Sequence, residues 1–134
     1  MARVVITGGG WAGCAAALAA RQAGADEVVV LERSDQLLGT GLVGGIMRNN
    51  GRFTAAEEMI AMGAGKLFEL TDRMARHRNM EFPGHKHASL YDVPLMEPAV
   101  RKLLLEHGVE LWLQARVTGL ALEAGSIASV SLEN

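Results

Sequence analysis

Cysteine is nearly absent. The single residue Cys14 excludes an internal disulfide and any dithiol redox pair, which fits a reducing compartment. Aromatic residues are only 4% of the chain, so the core has to be built from Leu, Val, Ala, Ile and Met. Charge of either sign is nearly balanced, 13 Lys and Arg against 15 Asp and Glu, a net −2. That excludes the long-range field that attracts nucleic acid or an acidic membrane surface. No segment approaches the about 18 unbroken apolar residues of a membrane span. The apolar run at the N-terminus breaks at Gly8, before a signal-peptide core could form. The expected location is the cytoplasm.

What is present is a 134-residue chain, the size of one domain, with 49% apolar residues and 16 glycines. The glycines cluster, which suggests tight turns or backbone lying against a ligand. Arg3 to Thr7 (RVVIT) is β-branched and reads as a strand buried on both faces, as in a parallel sheet. Gly8 to Gly13 forms a turn, and Cys14 to Gln22 is an alanine-rich helix ended by Gly24. Glu27 to Leu31 is a second buried strand, completing a βαβ unit with parallel strands.

Ser34 to Gly51 reads as a long glycine-rich connection (Gly39, Gly41, Gly44, Gly45, Gly51) ordered over a ligand, or else as a connector only. A helix is expected from Thr54, capped by the Thr54–Glu57 box, to about His77, with Gly63 and Gly65 as weak points. Asn79 to Asp92 reads as irregular. A helix from Leu95 to His107 follows, with Asp92 as its N-cap, Pro98 in its first turn and Gly108 closing it. Glu110 to Leu113 is a short third strand, and Arg116 to Ala124 with Ser126 to Leu132 form a hairpin around Gly125. The expected strand order places the second strand between the first and the third. The methionines Met47, Met59, Met62, Met74, Met80 and Met96 are expected in packing positions.

The motif that carries chemistry is Gly8-Gly9-Gly10-Trp11-Ala12-Gly13, a G-x-G-x-x-G. Alone the pattern is weak. Here it follows a buried strand, opens a helix, lies in a βαβ unit, and is followed by an acid, Glu32, 19 positions after Gly13. Each element has a task. Gly8 permits the turn, Gly10 admits a pyrophosphate, and Gly13 allows close helix packing. The N–H groups at the helix N-terminus, among them those of Trp11 and Ala12, receive the pyrophosphate. Glu32 accepts hydrogen bonds from a ribose and disfavours a 2′-phosphate. Arg33 stands near the adenine or faces solvent. Trp11 packs over the pyrophosphate, faces a partner, or has no role. Cys14, at the first turn of the helix, reads as a small buried filler.

The expected architecture is therefore α/β: a Rossmann-like parallel sheet with a βαβ dinucleotide-binding unit and a small C-terminal β-meander, incomplete without a partner. Within a single domain of residues 1–134, residues 1–33 form the ADP-binding unit and 34–53 the cofactor loop. Residues 54–113 form the helical segment with the third strand, and 114–134 the hairpin.

The stretch VVITGGGWAGCAAALAARQAG…VVVLERSDQLLGTGLVG, together with YDVPLMEPAVRKLLLEHGVELWLQARVTGLALEAGSIASVSLEN, resembles FAD-dependent oxidoreductases of the glutathione-reductase-like superfamily. The resemblance covers nearly the whole chain in order. It implies FAD as cofactor, with Gly8, Gly10, Gly13 and Glu32 at its ADP part and Arg33 close to the adenosine. It further implies Thr40 and Gly41 along the ribityl chain or flavin, and Val117 meeting the adenine through its backbone. Members of the family continue beyond the meander with a further strand, a substrate domain and a final glycine motif. The resemblance therefore implies a hetero-oligomer, in which a protein partner completes the flavin and small-molecule substrate site.

Catalytic residues are not legible. His85 and His87, two apart, and Arg48, beside Asn49 and Asn50, are the candidates for substrate or flavin contact; a polar surface loop is the bland alternative for each. No metal site is expected, since no cysteine lies near the histidine pair. His77 and His107 are expected at helix ends. Two other readings stay open: a non-catalytic dinucleotide-binding module, and the NAD-binding domain of a dehydrogenase.

Overall fold

A computed structural model describes residues 2–42, 48–50, 56–82 and 85–134 of the chain. Strand β1 (Arg3–Thr7) leads through the glycine turn into helix α1 (Trp11–Gln22) and strand β2 (Glu27–Glu32). One tight helical turn (Gly39–Gly41) and strand β3 (Arg48–Asn50) follow. Helix α2 (Ala56–Met59) runs through a widened turn (Ile60–Ala64) into α3 (Gly65–Arg73). Strands β4 (Ala75–Phe82) and β5 (His85–Tyr91) precede helix α4 (Val93–Glu106), strand β6 (Val109–Leu113), and the hairpin β7 (Arg116–Glu123) and β8 (Ser126–Glu133).

The main sheet is parallel in the order β1-β2-β6, as expected, with Val5 opposite Val29 and Val30 opposite Leu111. Its central strand is the most apolar, and Val28 to Glu32 are all buried. Helices cover one face. Cys14, Ala15, Ala17 and Leu18 of α1 are buried, and these short side chains let the helix lie close to the strands. Val100 and Leu104 of α4, Leu67 of α3 and Val109 complete the same core. Burying one such Leu stabilises the fold by about 1.5–3 kcal/mol. Arg21 ties two helix ends together: its Nε donates to the carbonyl of His107 at 3.0 Å, and a terminal nitrogen donates to the carbonyl of Asp26 at 3.0 Å. A cation at carbonyl-rich helix ends is well placed for the helix dipole.

The expectation that β1 is buried on both faces fails. Arg3, Val5 and Thr7 are exposed, while Val4 and Ile6 face the core. The second face of the sheet opens onto a cleft of about 640 Å³ below the β7–β8 hairpin, lined by Val5, Leu31, Trp112, Leu120 and Ile127 among others. The hairpin turns through Ala124 and Gly125, both left-handed (φ 49° and 81°), the geometry of a two-residue turn.

The segment between β2 and α4 differs most from expectation. The long helix ends at Arg73 and is broken at Gly63, whose φ of 108° admits no regular helix and whose position lies against Ala19. The Thr54 cap lies outside the described residues, as do Gly44, Gly45, Gly51, Met47, Pro83 and Gly84. The stretch read as irregular is the hairpin β4–β5, and β3 adds to it in the order β3-β5-β4. Its ladder shifts register three times, between Ala75 and Phe82. Such bulges erase the period-2 pattern that announces a strand. His77 is thus a strand residue and not a helix end. Helix α4 begins two residues earlier than expected, so Pro94 occupies its first turn and Pro98 lies inside it. Asp92 is its N-cap by position, but its carboxylate pairs with Arg76 at 2.8 Å instead of capping. Met96 is fully buried and Met59 and Met74 pack on the core, whereas Met62 is exposed.

Candidate dinucleotide site

The glycine turn has the geometry that its spacing predicts. Gly8 is left-handed (φ 99°), and its N–H donates to the carbonyl of Leu31 at 2.7 Å, which holds the turn at the carboxyl end of β2. A Cβ on Gly13 would stand 1.9 Å from the carbonyl oxygen of Gly8 and 3.4 Å from Ile6 Cγ2. Helix α1 therefore rests on the turn's own backbone, which only glycine allows. A Cβ on Gly10 would meet nothing within 4 Å: the space above it is open. Gly10 is the N-cap and contributes no side-chain bond, so the N–H groups of Trp11, Ala12 and Gly13 have no partner within the helix. The open space over Gly10 and this row of donors fit a pyrophosphate.

Glu32 is 7% exposed. One carboxylate oxygen accepts the N–H of Gly9 at 2.6 Å, and the other accepts the N–H of Ser34 at 2.8 Å and its hydroxyl at 3.0 Å. Sequence reasoning missed Gly9 and Ser34. Gly9 stood in a variable position of the motif, yet a Cβ there would stand 2.6 Å from Leu37 Cδ2. A pocket of about 250 Å³ lies beside this carboxylate, lined by Thr7, Gly8, Leu31, Glu32, Arg33, Ala115, Arg116 and Val117. It brings together four residues expected around the adenosine: Gly8, Glu32, Arg33 and Val117. It lies at the carboxyl ends of parallel strands, where open α/β sheets bind ligands.

The loop after β2 folds back on the glycine turn. The N–H of Leu38 donates to the carbonyl of Gly9 at 2.7 Å, and both Leu37 and Leu38 are buried. Leu38 is left-handed (φ 70°), a conformation unusual for a branched residue and held only by its surroundings. Glu97 of α4, 7% exposed, anchors the loop from below: it accepts the N–H of Leu37 at 3.2 Å and pairs with Arg101, which also donates to the carbonyl of Asp35. Glu97 had no signal in the sequence beyond its place in a helix. Thr40 is exposed and Gly41 buried on the following turn.

Trp11 does not cover the turn; it points inward. Its ring lies 6.2 Å from Phe68 and 5.7 Å from Tyr91. Burial raises the Tyr91 phenol above its ordinary pKa, and the Trp11 indole N–H opposes that rise. Cys14 is fully buried with its thiol toward the carbonyl of Gly9 at 3.3 Å. Burial pushes the thiol up to about 12, against a hydrogen bond from the Leu38 backbone and with the charges of Glu32 and Glu97 adding to the rise. It remains protonated, an inert filler.

For Arg48, His85 and His87 only the backbone is described; all three lie in the second sheet, away from the glycine turn in sequence and sheet membership. Among the described residues no three His, Cys, Asp or Glu side chains group to hold a metal. None of the described helices is long and apolar enough to cross a membrane.

Family comparison agrees with this geometry. The model of the FAD dependent oxidoreductase family matches residues 3–134, so the chain belongs to that family and FAD is its cofactor. None of the curated protein sequences matches the chain. Among solved structures, the chain is similar to the Diels-Alderase PyrE3 of pyrroindomycin biosynthesis, with 22% identity and a TM-score of 0.66 over 98% of this chain and 29% of that one. It is similar to OxyS anhydrotetracycline hydroxylase from Streptomyces rimosus, with 25% identity and a TM-score of 0.60 over 97% of this chain and 28% of that one. Glycine oxidase from Bacillus cereus matches with 16% identity and a TM-score of 0.60 over 98% of this chain and 51% of that one. The chain thus spans between about a quarter and a half of the length of these proteins.

Proposed function

We propose that this chain is the ADP-holding part of a flavin-dependent oxidoreductase of the glutathione-reductase-like superfamily, and that a partner polypeptide completes the flavin and substrate site. The observation that carries the reading is the pocket at the ends of β1 and β2, where Gly8, Glu32, Arg33 and Val117 meet beside the open N-terminus of α1. In this reading Glu32 accepts from the ribose with the lone pairs that Gly9 and Ser34 leave free. Arg33 and the Val117 backbone flank the adenine. Gly10 and the N–H groups of Trp11, Ala12 and Gly13 hold the pyrophosphate. Thr40 and Gly41 border the path to the flavin. Bound FAD supplies the redox chemistry, and the protein's part is binding and orientation.

Support for a partner comes from the main sheet. Among the described residues β1 has a neighbour on one side only, and the open face of the sheet carries the exposed Val5 beside Trp112, Leu120 and Ile127. A bare parallel edge with an open apolar face invites a further strand. The substrate is a small molecule whose contacts come from that partner, and the cytoplasm is the expected location.

Titration of the purified chain with FAD, NAD and ADP tests the reading. FAD and ADP are expected to bind and NAD to bind more weakly. Preference for NAD, or equal FAD binding by Gly10→Val, would overturn it.

A further inference from the structure

We infer that Trp11 and Tyr91 are positioning residues for the flavin half of the cofactor, acting through the Gly39–Gly41 turn; the inference rests on the FAD reading above. A Cβ on Gly41 would stand 2.8 Å from Tyr91 Oη and 2.9 Å from Trp11 Nε1. Two polar atoms of two aromatic side chains therefore converge on one backbone position. Tyr91 Oη also donates to the carbonyl oxygen of Gly41 at 3.4 Å. Tyr91 is 2% exposed and closes against Trp11, which in turn stacks on Phe68. Packing locks the rings, and locked rings fix the peptide plane that they touch.

The clamp joins two parts of the site. Trp11 is the first residue of α1, so the side chain that abuts Gly41 belongs to the residue whose N–H heads the pyrophosphate donors. Tyr91 is the last residue of β5 and brings the second sheet to the same point. The Gly39–Gly41 turn is no part of the adenosine pocket, whose lining comes from the ends of β1 and β2, Gly8, Arg33, Ala115 and the start of β7. It approaches the fingerprint at Gly10, where a Cβ on Gly39 would stand 3.7 Å from the Gly10 Cα. A ligand running from the pocket across Gly10 meets this turn only beyond its pyrophosphate. Loosening the clamp is then felt by the ring system and not by ADP.

The test is isothermal titration of ADP and of FAD into the full chain and into Trp11→Phe, Tyr91→Phe and Gly41→Ala. Tyr91→Phe deletes one hydroxyl and keeps the ring, so it carries the test even if Gly41→Ala does not fold. The expected result is FAD weakened by about three- to tenfold in each variant, the size of one or two neutral hydrogen bonds, with ADP affinity unchanged in Tyr91→Phe, whose residue lies outside the ADP-holding set. If the wild-type preference for FAD over ADP survives in all three variants, or if both ligands weaken in parallel in Tyr91→Phe, the inference falls alone. If the wild-type chain binds neither ligand, the FAD reading falls and the inference with it.

Discussion

Glu32, the last residue of β2, accepts the N–H of Gly9, the second residue of the glycine turn, at 2.6 Å. The acid of the fingerprint is therefore bonded into the turn itself. Its other oxygen holds Ser34 at the start of the next loop. One buried carboxylate thus sets the relative position of the turn, the strand end and the loop, so that ligand binding needs little reorganisation.

Glu32→Ala is expected to weaken FAD by about 1.5–3 kcal/mol, the range for hydrogen bonds to a charged group. It is also expected to lower the melting temperature of the ligand-free chain, because the Gly9 N–H loses its buried acceptor. Glu32→Gln keeps an acceptor oxygen and should restore much of the melting temperature but little of the affinity. Calorimetric titration beside thermal melts separates the two. Unchanged affinity in the alanine variant would remove Glu32 from the site.

Gly10 and Gly13 should fail in opposite ways. Gly10 has φ −69° and open space where a side chain would go, so Gly10→Val should fold with an unchanged melting temperature and not bind FAD. Gly13→Ala drives a Cβ to 1.9 Å from the Gly8 carbonyl oxygen, a backbone clash that a neighbouring rotamer change cannot relieve. Overpacking of this kind costs about 1–3 kcal/mol or more, and the loss should show in urea unfolding. A stable Gly13→Ala chain would contradict the packing of α1 on the turn.

The βαβ unit and the strand order were legible because each element obeys one rule at a time. β2 is apolar throughout, α1 is alanine-rich, and the glycines stand where φ turns positive, as at Gly8, Gly24 and Gly125. The β3-β5-β4 sheet was not legible. Its strands RNN, ARHRNMEF and HKHASLY are polar, and the bulges of β4 break the alternation. The burial of Glu97 was equally hidden, since it depends on a loop some 60 positions away that offers the Leu37 N–H. Likewise the inward aim of Trp11 depends on Tyr91 and Phe68, which come from other elements.

Cys14 makes a prediction about alkaline pH. Its thiol pKa rises from the ordinary 9.0 to about 12 on folding. Below 9.0 the thiol is protonated in both folded and unfolded chains and contributes no pH slope. Between 9.0 and about 12 the unfolded chain gives up a proton that the folded chain retains, so stability falls as pH rises. Urea midpoints measured at increasing pH should therefore decline more steeply for the wild type than for Cys14→Ala. The native thiol should also resist alkylation at neutral pH and react once unfolded. Rapid labelling of the folded chain would contradict its burial.

The open face of the parallel sheet predicts how the chain behaves in solution. Val5, Trp112, Leu120, Leu122 and Ile127 are 39% to 66% exposed, and all but Leu122 line one cleft. Among the described residues no strand pairs with the outer edge of β1. Apolar surface removed from water stabilises by about 25 cal/mol per Å², so covering this face is favourable for any chain that can reach it. A chain of 14.3 kDa alone should therefore associate or precipitate as concentration rises. Leu120→Ser with Ile127→Thr should reduce that association without changing ADP affinity, since neither residue lines the adenosine pocket. The partner proposed above should protect the same residues: its addition should slow hydrogen exchange in β1 and give a heteromer by size and intact mass. Light scattering across a concentration series gives the first measurement. A wild-type chain that stays monomeric and FAD-loaded at every concentration, with β1 exchanging as slowly as β2, would show that neither the face nor the edge requires a partner.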